Sequence, residues 1–521
     1  MAKGAVLKPI FKTYHQNQMM LLPPSLEELI LPNHPVRVVN EVLNKIDIQP
    51  LIRKYKTGGS SSYHPLILLK VLIYAYINNI YSSRKIEEAL QQNIHFMWLS
   101  GMSKPDHNTI SRFRSDRLKE PLRDIFVQVV QLLAAEGLLS IKELYTDGTK
   151  IEANANRYSF VWGKSIKNNK EKMKQQLDAL WKYAQSIAAD ELDDTDPSGF
   201  DKIDIDKVNE TIKKIDAALK DKPITKEVKR KLGYVKKKWP ETLTRYDAQE
   251  KIMGEQRNSY SKTDTDATFM RMKDDHLNNG QLKPAYNLQL STNNQYVTNY
   301  SIHQNRTDTN TLEEHLETYK QSYGTSPEVI TADAGYGSEE NYAYLESKNI
   351  EAFVKYNQFD REQNETIQSK NPFATNKLHY NKEGDFYVCP KGELMHNKGS
   401  HTKKTSNGFK QNVTTYSASN CQNCPLKSDC HKSPGNRTIE INQNLNRLKA
   451  KANQNLLSEE GIKHRKKRCY DVEPVFGNIK SNHHFKRFML RGIEKVSIES
   501  GLLVLAHNLR KKSTQMSRKT A

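Results

Sequence analysis

Two short apolar runs in this chain end alike, each on an aspartate followed by small residues, and this constrains the fold more than any other feature. Glu143-Leu144-Tyr145-Thr146-Asp147-Gly148-Thr149-Lys150 reads as a strand delivering one carboxylate, since Leu, Tyr and Thr suit the pleated conformation. Gly148, directly after Asp147, implies that the backbone passes close to another group. In the second run Val329, Ile330, Thr331 and Ala332 lead to Asp333, followed by Ala334 and Gly335. A lone aspartate is more often a turn or cap residue than a chemical one. Two strands that each end in one can share a metal ion.

The rest of the chain orders itself around these runs. Apolar residues at three- and four-residue spacing up to residue 139 predict an all-α unit over 1–139. Leu66, Leu69, Ile73 and Ile77 share one helix face, Ser83 is a candidate N-cap, and Pro105-Asp106 starts a further helix. That last helix carries Asn108, Thr109, Ser111, Arg112 and Arg114, while Ile110 and Phe113 keep an apolar stripe. Its polar side suits DNA edges and phosphates, or is simply a solvated face. Residues 140–521 form the second unit. Within it, 154–261 predicts an inserted helical hairpin, with Asp196-Pro197-Ser198-Gly199 as its turn. A β-hairpin follows, turning at Asn293-Asn294, then a helix from Asp308, the Asp333 strand, a helix and a strand at 350–356. The class is α/β: strand, insertion, hairpin, helix, strand, helix, strand is the order of a mixed five-stranded ribonuclease H-like sheet. In that order the first and fourth strands are neighbours, so Asp147 and Asp333 meet at one edge.

A third carboxylate is needed to hold catalytic magnesium, which prefers octahedral oxygen coordination. Glu473 is the best candidate, with Lys480 seven residues on, about two helical turns, and so on the same side to hold a phosphate. Pro474 predicts that Glu473 sits in or just before the first turn of its helix. Asp264 and Asp266 are rival first carboxylates, although no apolar strand run leads to them. The formal charge of +20 over 521 residues points to a polyanion, most simply nucleic acid. Met1 to Pro24 has no continuous apolar stretch, and the run from Pro65 to Ile77 is too short for a bilayer about 30 Å thick, so a cytoplasmic, nucleoid-associated protein with no membrane partner is expected.

The runs at Asp147 and Asp333, the segment Val472-Glu473-Pro474-Val475-Phe476-Gly477-Asn478-Ile479-Lys480 and the stretch Asp264 to Met270 together resemble DDE-type insertion-sequence transposases, over nearly the whole chain. The resemblance is to the bacterial cut-and-paste group with a helical N-terminal DNA-binding domain. It implies that Asp147, Asp333 and Glu473 hold two Mg2+ (or Mn2+) ions about 3.5–4 Å apart for phosphoryl transfer, without a covalent protein intermediate. It also implies terminal inverted repeats and target DNA as partners, a homodimer in the synaptic complex, and DNA contacts by Arg468 and Lys480. Of the Tyr-Arg-Glu-Lys signature carried by related transposases, only the Glu473 to Lys480 spacing is kept. Arg468 lies one residue off and Lys466 occupies the tyrosine position, so a hairpin-ended excision intermediate does not carry over.

A second insertion, 358–450, holds Cys389, Cys421, Cys424 and Cys430 of the five cysteines. Cys421-x2-Cys424 is a zinc-knuckle spacing; Cys430 and Cys389, behind a strand at 385–388, would complete a structural Zn2+ site, with His431 or His396 as substitutes. Reduced thiols without metal and a redox site are the alternatives. Cys469 reads as a buried small apolar residue. Besides a transposase, the chain is compatible with a nuclease that cuts without joining, or with a non-catalytic, domesticated DNA-binding protein.

Overall fold

The computed structural model describes residues 25–55, 62–188, 192, 205–272, 280–364, 373–405 and 407–520. The stretch from Met1 to Pro24 and the turn expected at Asp196-Pro197-Ser198-Gly199 lie outside them. The chain begins with α1 (Pro35–Asn44), α2 (Gln49–Ile52), α3 (Pro65–Ile77), α4 (Ser83–Gln92), α5 (Ile94–Leu99), α6 (His107–Arg112) and α7 (Pro121–Ala135). Proline opens α1, α2, α3 and α7, where its missing N–H is harmless and its φ is already helical. Every residue of α3 from Leu68 to Ile77 is buried. The expected one-faced stripe is therefore part of a central helix, apolar all round. Its one cation, Lys70, donates to Asn40 Oδ1 and Asn44 Oδ1 at 2.6 Å each. Ser82, not Ser83, holds the N-cap position of α4, without a side-chain capping bond, and Ser83 Oγ accepts from Arg114.

Strand β1 (Glu143–Glu152) leads into β2 (Phe160–Trp162), which pairs with β3 (Ser259–Ser261) at the base of the first insertion. Between them stand α8 (Gly163–Ile187), α9 (Ile205–Ala218) and α10 (Lys226–Met253), so the described residues of the unit form three helices where the sequence predicted two. The apolar spacing of the third, Leu232, Val235, Trp239 and Leu243, is diluted by lysines, but those residues close a separate core with Leu177, Trp181, Ile212 and Ile215.

The main sheet continues with β4 (Thr268–Arg271), β5 (Leu282–Asn293) and β6 (Tyr296–His303). The β5–β6 turn is Asn294-Gln295, one residue later than expected, with φ of 50° and 61° as a two-residue hairpin turn demands. Then come α11 (Leu312–Tyr323), β7 (Val329–Ala332), α12 (Glu339–Ser347), β8 (Glu351–Val354) and the short α13 (Phe359–Glu362). The sheet has six strands among the described residues where five were expected, running β4-β5-β1-β7-β8 with β6 beside β5, the extra strand being the short β4; β1 is antiparallel to β5 and parallel to β7, and β7 is parallel to β8.

The second insertion is itself largely a sheet: β9 (His379–Asn381), β10 (Phe386–Val388), β11 (Leu394–Lys404), β12 (Lys410–Ala418) and β13 (Thr438–Ile441), with the single turn α14 (Lys427–Cys430). Helices α15 (Gln443–Leu457) and α16 (Glu459–Gly477) return the chain to the main sheet, and α17 (Ile493–Thr520) ends it. Sequence patterning did not single out α17. It packs on α1, α3, α7 and β6, and one continuous core runs from Val39 and Leu72 through Leu503 to Leu290 and Tyr300. The helices before residue 139 and the sheet are thus joined through α17.

Candidate active site

Strand β1 does not stop at Asp147. Its pairing with β7 ends at Tyr145↔Thr331, while its pairing with β5 runs on to Glu152. The two parallel strands part at this point, and Asp147 and Asp333 stand in the notch. Asp147 is 7% exposed and its Oδ1 accepts from Gly148 N at 2.7 Å. Asp333 directly follows β7 and caps the 3-10 turn Ala334–Tyr336, its Oδ1 accepting from Gly335 N at 2.8 Å. The helix α16 crosses this edge and adds Glu473 and Arg468. The Arg468 guanidinium lies 3.5 Å from Asp147 Oδ2 and 3.7 Å from Glu473 Oε1 through Nη1, and 3.9 Å from Asp333 Oδ2 through Nη2. Three carboxylates distant in sequence thus meet around one cation. Nη1 is buried without a hydrogen-bond partner, so charge rather than hydrogen bonding holds it.

The notch opens into a groove of about 940 Å3, whose lining includes Lys283, Lys480, Lys486 and Arg487. Glu152 also lines it, but Arg157 at 2.9 Å, Lys283 at 3.8 Å and Arg487 at 4.0 Å neutralise it. A groove that holds these cations together with the three carboxylates suits a phosphodiester chain.

Several expected positions are corrected by the structure. Glu473 lies near the end of the 19-residue α16, not at its start, and Pro474 is inside the helix. Proline leaves the carbonyl four residues back without its helical donor. Here that carbonyl, Tyr470 O, accepts from Gln295 Nε2 at 2.8 Å, so the side chain in the β5–β6 turn supplies the missing bond. Cys469 is exposed rather than buried. Asp264 and Asp266 serve α17: Asp264 Oδ1 accepts from Tyr286 Oη at 2.9 Å and Gly492 N at 3.2 Å, and Asp266 Oδ2 from Ile493 N at 2.9 Å. Burial pushes the Asp264 carboxyl above its ordinary pKa.

One carboxylate beside the notch carries no such signal in the sequence. Asp308, which reads only as a helix start, has Oδ1 held by Asn287 Nδ2 at 2.7 Å and Gln289 Nε2 at 2.8 Å. A Cβ on Gly148 would stand 2.5 Å from that oxygen and closer still to Gln289 Nε2. This is the close approach that the glycine implied. Behind it Tyr336 Oη donates to Gln289 Oε1, and burial, then Asp308, Asp147 and Asp333, raise the tyrosine's pKa far above its usual value. In the sequence Asn287 and Gln289 merely alternate with Leu288 and Leu290 along a strand; only the structure shows both amides fully buried.

On α6, Asp106 caps as expected, its Oδ1 accepting from Thr109 N at 2.8 Å. Asn108 and Arg112 are exposed and Thr109 and Ser111 half-buried. Arg114 departs from the set: 4% exposed, it donates to Tyr81 O at 2.7 Å and to Ser83 Oγ at 3.3 Å, and its charge faces the buried Glu499. The chain beyond Arg112 winds into a π-type turn, Phe113–Arg117, which rotates that side chain inward.

Cys389, Cys421, Cys424 and Cys430 line one small pocket with His431, whose ring nitrogens are both buried without partners. Arg437 intervenes, its N donating to Cys421 Sγ at 3.3 Å and Nη1 to Cys430 Sγ at 3.0 Å. Among the described residues no three His, Cys, Asp or Glu side chains are arranged to hold a metal, here or at the notch. No helix among them is long and apolar enough to cross a membrane.

Residues 24–116 match the family model described as Transposase domain (DUF772), and residues 388–512 the one described as Transposase DDE domain. The second match takes in Arg468, Glu473 and Lys480 together with the four clustered cysteines, and neither reaches Asp147 or Asp333. Neither a curated protein nor a solved structure matches the chain.

Proposed function

This chain belongs to the DDE transposases of insertion sequences, and on that premise we propose that it cuts DNA at the terminal inverted repeats of its own element and joins the freed ends to target DNA. Asp147, Asp333 and Glu473 are the proposed catalytic residues. The observation that carries this reading is their approach, each within 4 Å, to the Arg468 guanidinium where β1 and β7 part. Supporting it is the order β6-β5-β1-β7-β8 within the six-stranded sheet, three antiparallel strands then two parallel additions with the short β4 as a further strand on β5, which we read as ribonuclease H-like.

The donors are hard carboxylate oxygens, of the kind Mg2+ or Mn2+ takes. Their present arrangement holds a guanidinium rather than a metal ion, so Asp147, Asp333 and Glu473 would hold the metal only with Arg468 turned away. When bound, two such ions supply activation of the attacking oxygen and stabilisation of the leaving one. The chain's own groups do the rest. The Asn287–Gln289–Tyr336 network fixes Asp308 against Gly148 and so holds the strand at Asp147 in place. Lys283, Lys480, Lys486 and Arg487 bind and orient phosphates, and Arg468, released from the carboxylates, joins them. Asn108, Thr109, Ser111 and Arg112 on α6 read the terminal repeat, a homodimer pairs the two ends, the protein works on the nucleoid, and the cysteine pocket takes a structural Zn2+ once Arg437 yields its two sulfurs.

The deciding experiment incubates purified protein with duplexes carrying the element's ends, a target plasmid and Mg2+. Joined products are expected, and Asp147→Asn should give none. Nicked ends without joining would reduce the protein to a nuclease, and binding without cutting to a DNA-binding protein.

A further inference from the structure

The turn Asn478–Asn482, which carries Lys480 and Ser481 into the groove, has a second side. There Asn478 and Asn482, with Gln295 and the C-terminal half of α17, enclose a separate open cleft of about 330 Å3. Its cations are Arg510, Lys511 and Arg518, and among the described residues no aspartate or glutamate lines it. Arg510 Nη1 lies 2.9 Å from His483 Nδ1, and Lys511 Nζ donates to Gln295 Oε1 at 3.0 Å. Of the nearby carboxylates, Asp471 is buried, accepting from Thr292 Oγ1 at 2.6 Å and Gln295 N at 3.0 Å, and its charge also acts on Lys511, while Glu136 pairs with Lys512. Burial holds the pKa of His483 and His507 down to about 4, so both are neutral near pH 7 and the cleft's charge is that of its arginines and lysine.

Three cations against the single buried Asp471 leave the cleft net positive, and a partly enclosed positive cleft attracts an anion. From Arg510 to Arg518 they span eight residues of one helix, about 12 Å of rise. The geometry points to a second backbone-phosphate site: the cleft receives a phosphodiester of the same DNA duplex that enters the groove, the two sites being opposite sides of the 478–482 turn. This rests on the groove being the DNA path proposed above. The contact is to backbone, so it adds affinity without sequence preference.

The test is the salt dependence of duplex binding by the full chain, for an element end and for an unrelated sequence, in wild type, Lys511→Ala/Arg518→Ala and the milder Lys511→Gln/Arg518→Gln. Arg510 is left in place because it packs on His483. Each phosphate that goes unneutralised should make the slope of log affinity against log salt shallower by about 0.9, a loss of about eightfold at 0.1 M that vanishes near 1 M. For one or two such phosphates, both duplexes should weaken by about 8- to 60-fold at 0.1 M. An unchanged slope in the variants, or an equal loss at every salt concentration, overturns the cleft while leaving the groove standing. Wild-type protein that binds neither duplex overturns the groove and the cleft together.

Discussion

Replacing Arg468 with glutamine should make the DNA-free protein bind divalent cations more tightly, whereas an arginine that only supports the site would weaken that binding on removal. Its guanidinium stands 3.5, 3.7 and 3.9 Å from the three carboxylates, where an incoming cation would have to go. The pairs are unequal: the Asp147 side chain is 11% exposed, those of Asp333 and Glu473 37% and 54%. At an effective dielectric of about 20 the gross attraction to Asp147 at this range is about 5 kcal/mol, most of which desolvation of the two ions offsets. The two open pairs add about 0–1 kcal/mol each. A net competition of about 1–3 kcal/mol remains, so Arg468→Gln should tighten Mn2+ binding by about 5- to 150-fold. Titration of Mn2+ followed by electron paramagnetic resonance, without DNA, measures it directly. Cleavage of end DNA by the variant should nevertheless fall, because the charge that would hold a phosphate is gone. Equal or weaker Mn2+ binding by the variant would refute the idea that the arginine and the metal compete for one place.

Four further outcomes are expected. Glu473→Gln should abolish Mg2+-dependent cleavage and leave end binding intact in a mobility-shift assay; normal cutting would mean that another acid is the third ligand. Arg112→Ala should weaken end binding by about 1–3 kcal/mol if it makes a bidentate base contact, whereas Arg114→Ala should chiefly destabilise the fold, by about 1–3 kcal/mol, because Tyr81 O loses its donor and the buried Glu499 the cation facing it; chemical denaturation separates the two, and a stable Arg114→Ala that binds poorly would return Arg114 to the DNA-facing set. Gly148→Ala forces a methyl group against Asp308 and Gln289 and should cost about 1–3 kcal/mol in thermal stability along with cleavage; a fully active variant would show that the Asn287–Gln289–Tyr336 network does not position the strand. Purified protein should contain one zinc per chain, lost together with folding of the 373–441 region in Cys421→Ser; a zinc-free protein of unchanged stability would leave the four residues as ordinary thiols.

A fragment starting at residue 140 is no test of α6. Removing the first helices would uncover α17 where it packs on α1, α3 and α7, so loss of end recognition by such a fragment would say nothing about α6. Point substitutions on the exposed side of α6 avoid this.

What the sequence determined by itself was local or topological. Strand propensity located β1 and β7, the Asn-rich stretch located the hairpin to within one residue, and the element order implied that β1 and β7 are neighbours, which brings Asp147 and Asp333 together. Gly148 announced a close approach before its partner was known. The tertiary structure alone decided the features that depend on contacts across long separations. Pro474 lies deep in α16 because Gln295, 175 residues away, completes the carbonyl that the proline leaves open. Arg114 turns inward because a buried glutamate on α17 and the carbonyl of Tyr81 await it. Asp308 and Arg468 are ordinary surface types in sequence, and only folding sets one against Gly148 and the other among three carboxylates. Propensity and periodicity act through neighbours a few residues apart. A charge, an orphaned carbonyl or a missing Cβ is satisfied by whatever the fold brings within a few ångströms, and one-dimensional patterns carry no record of that.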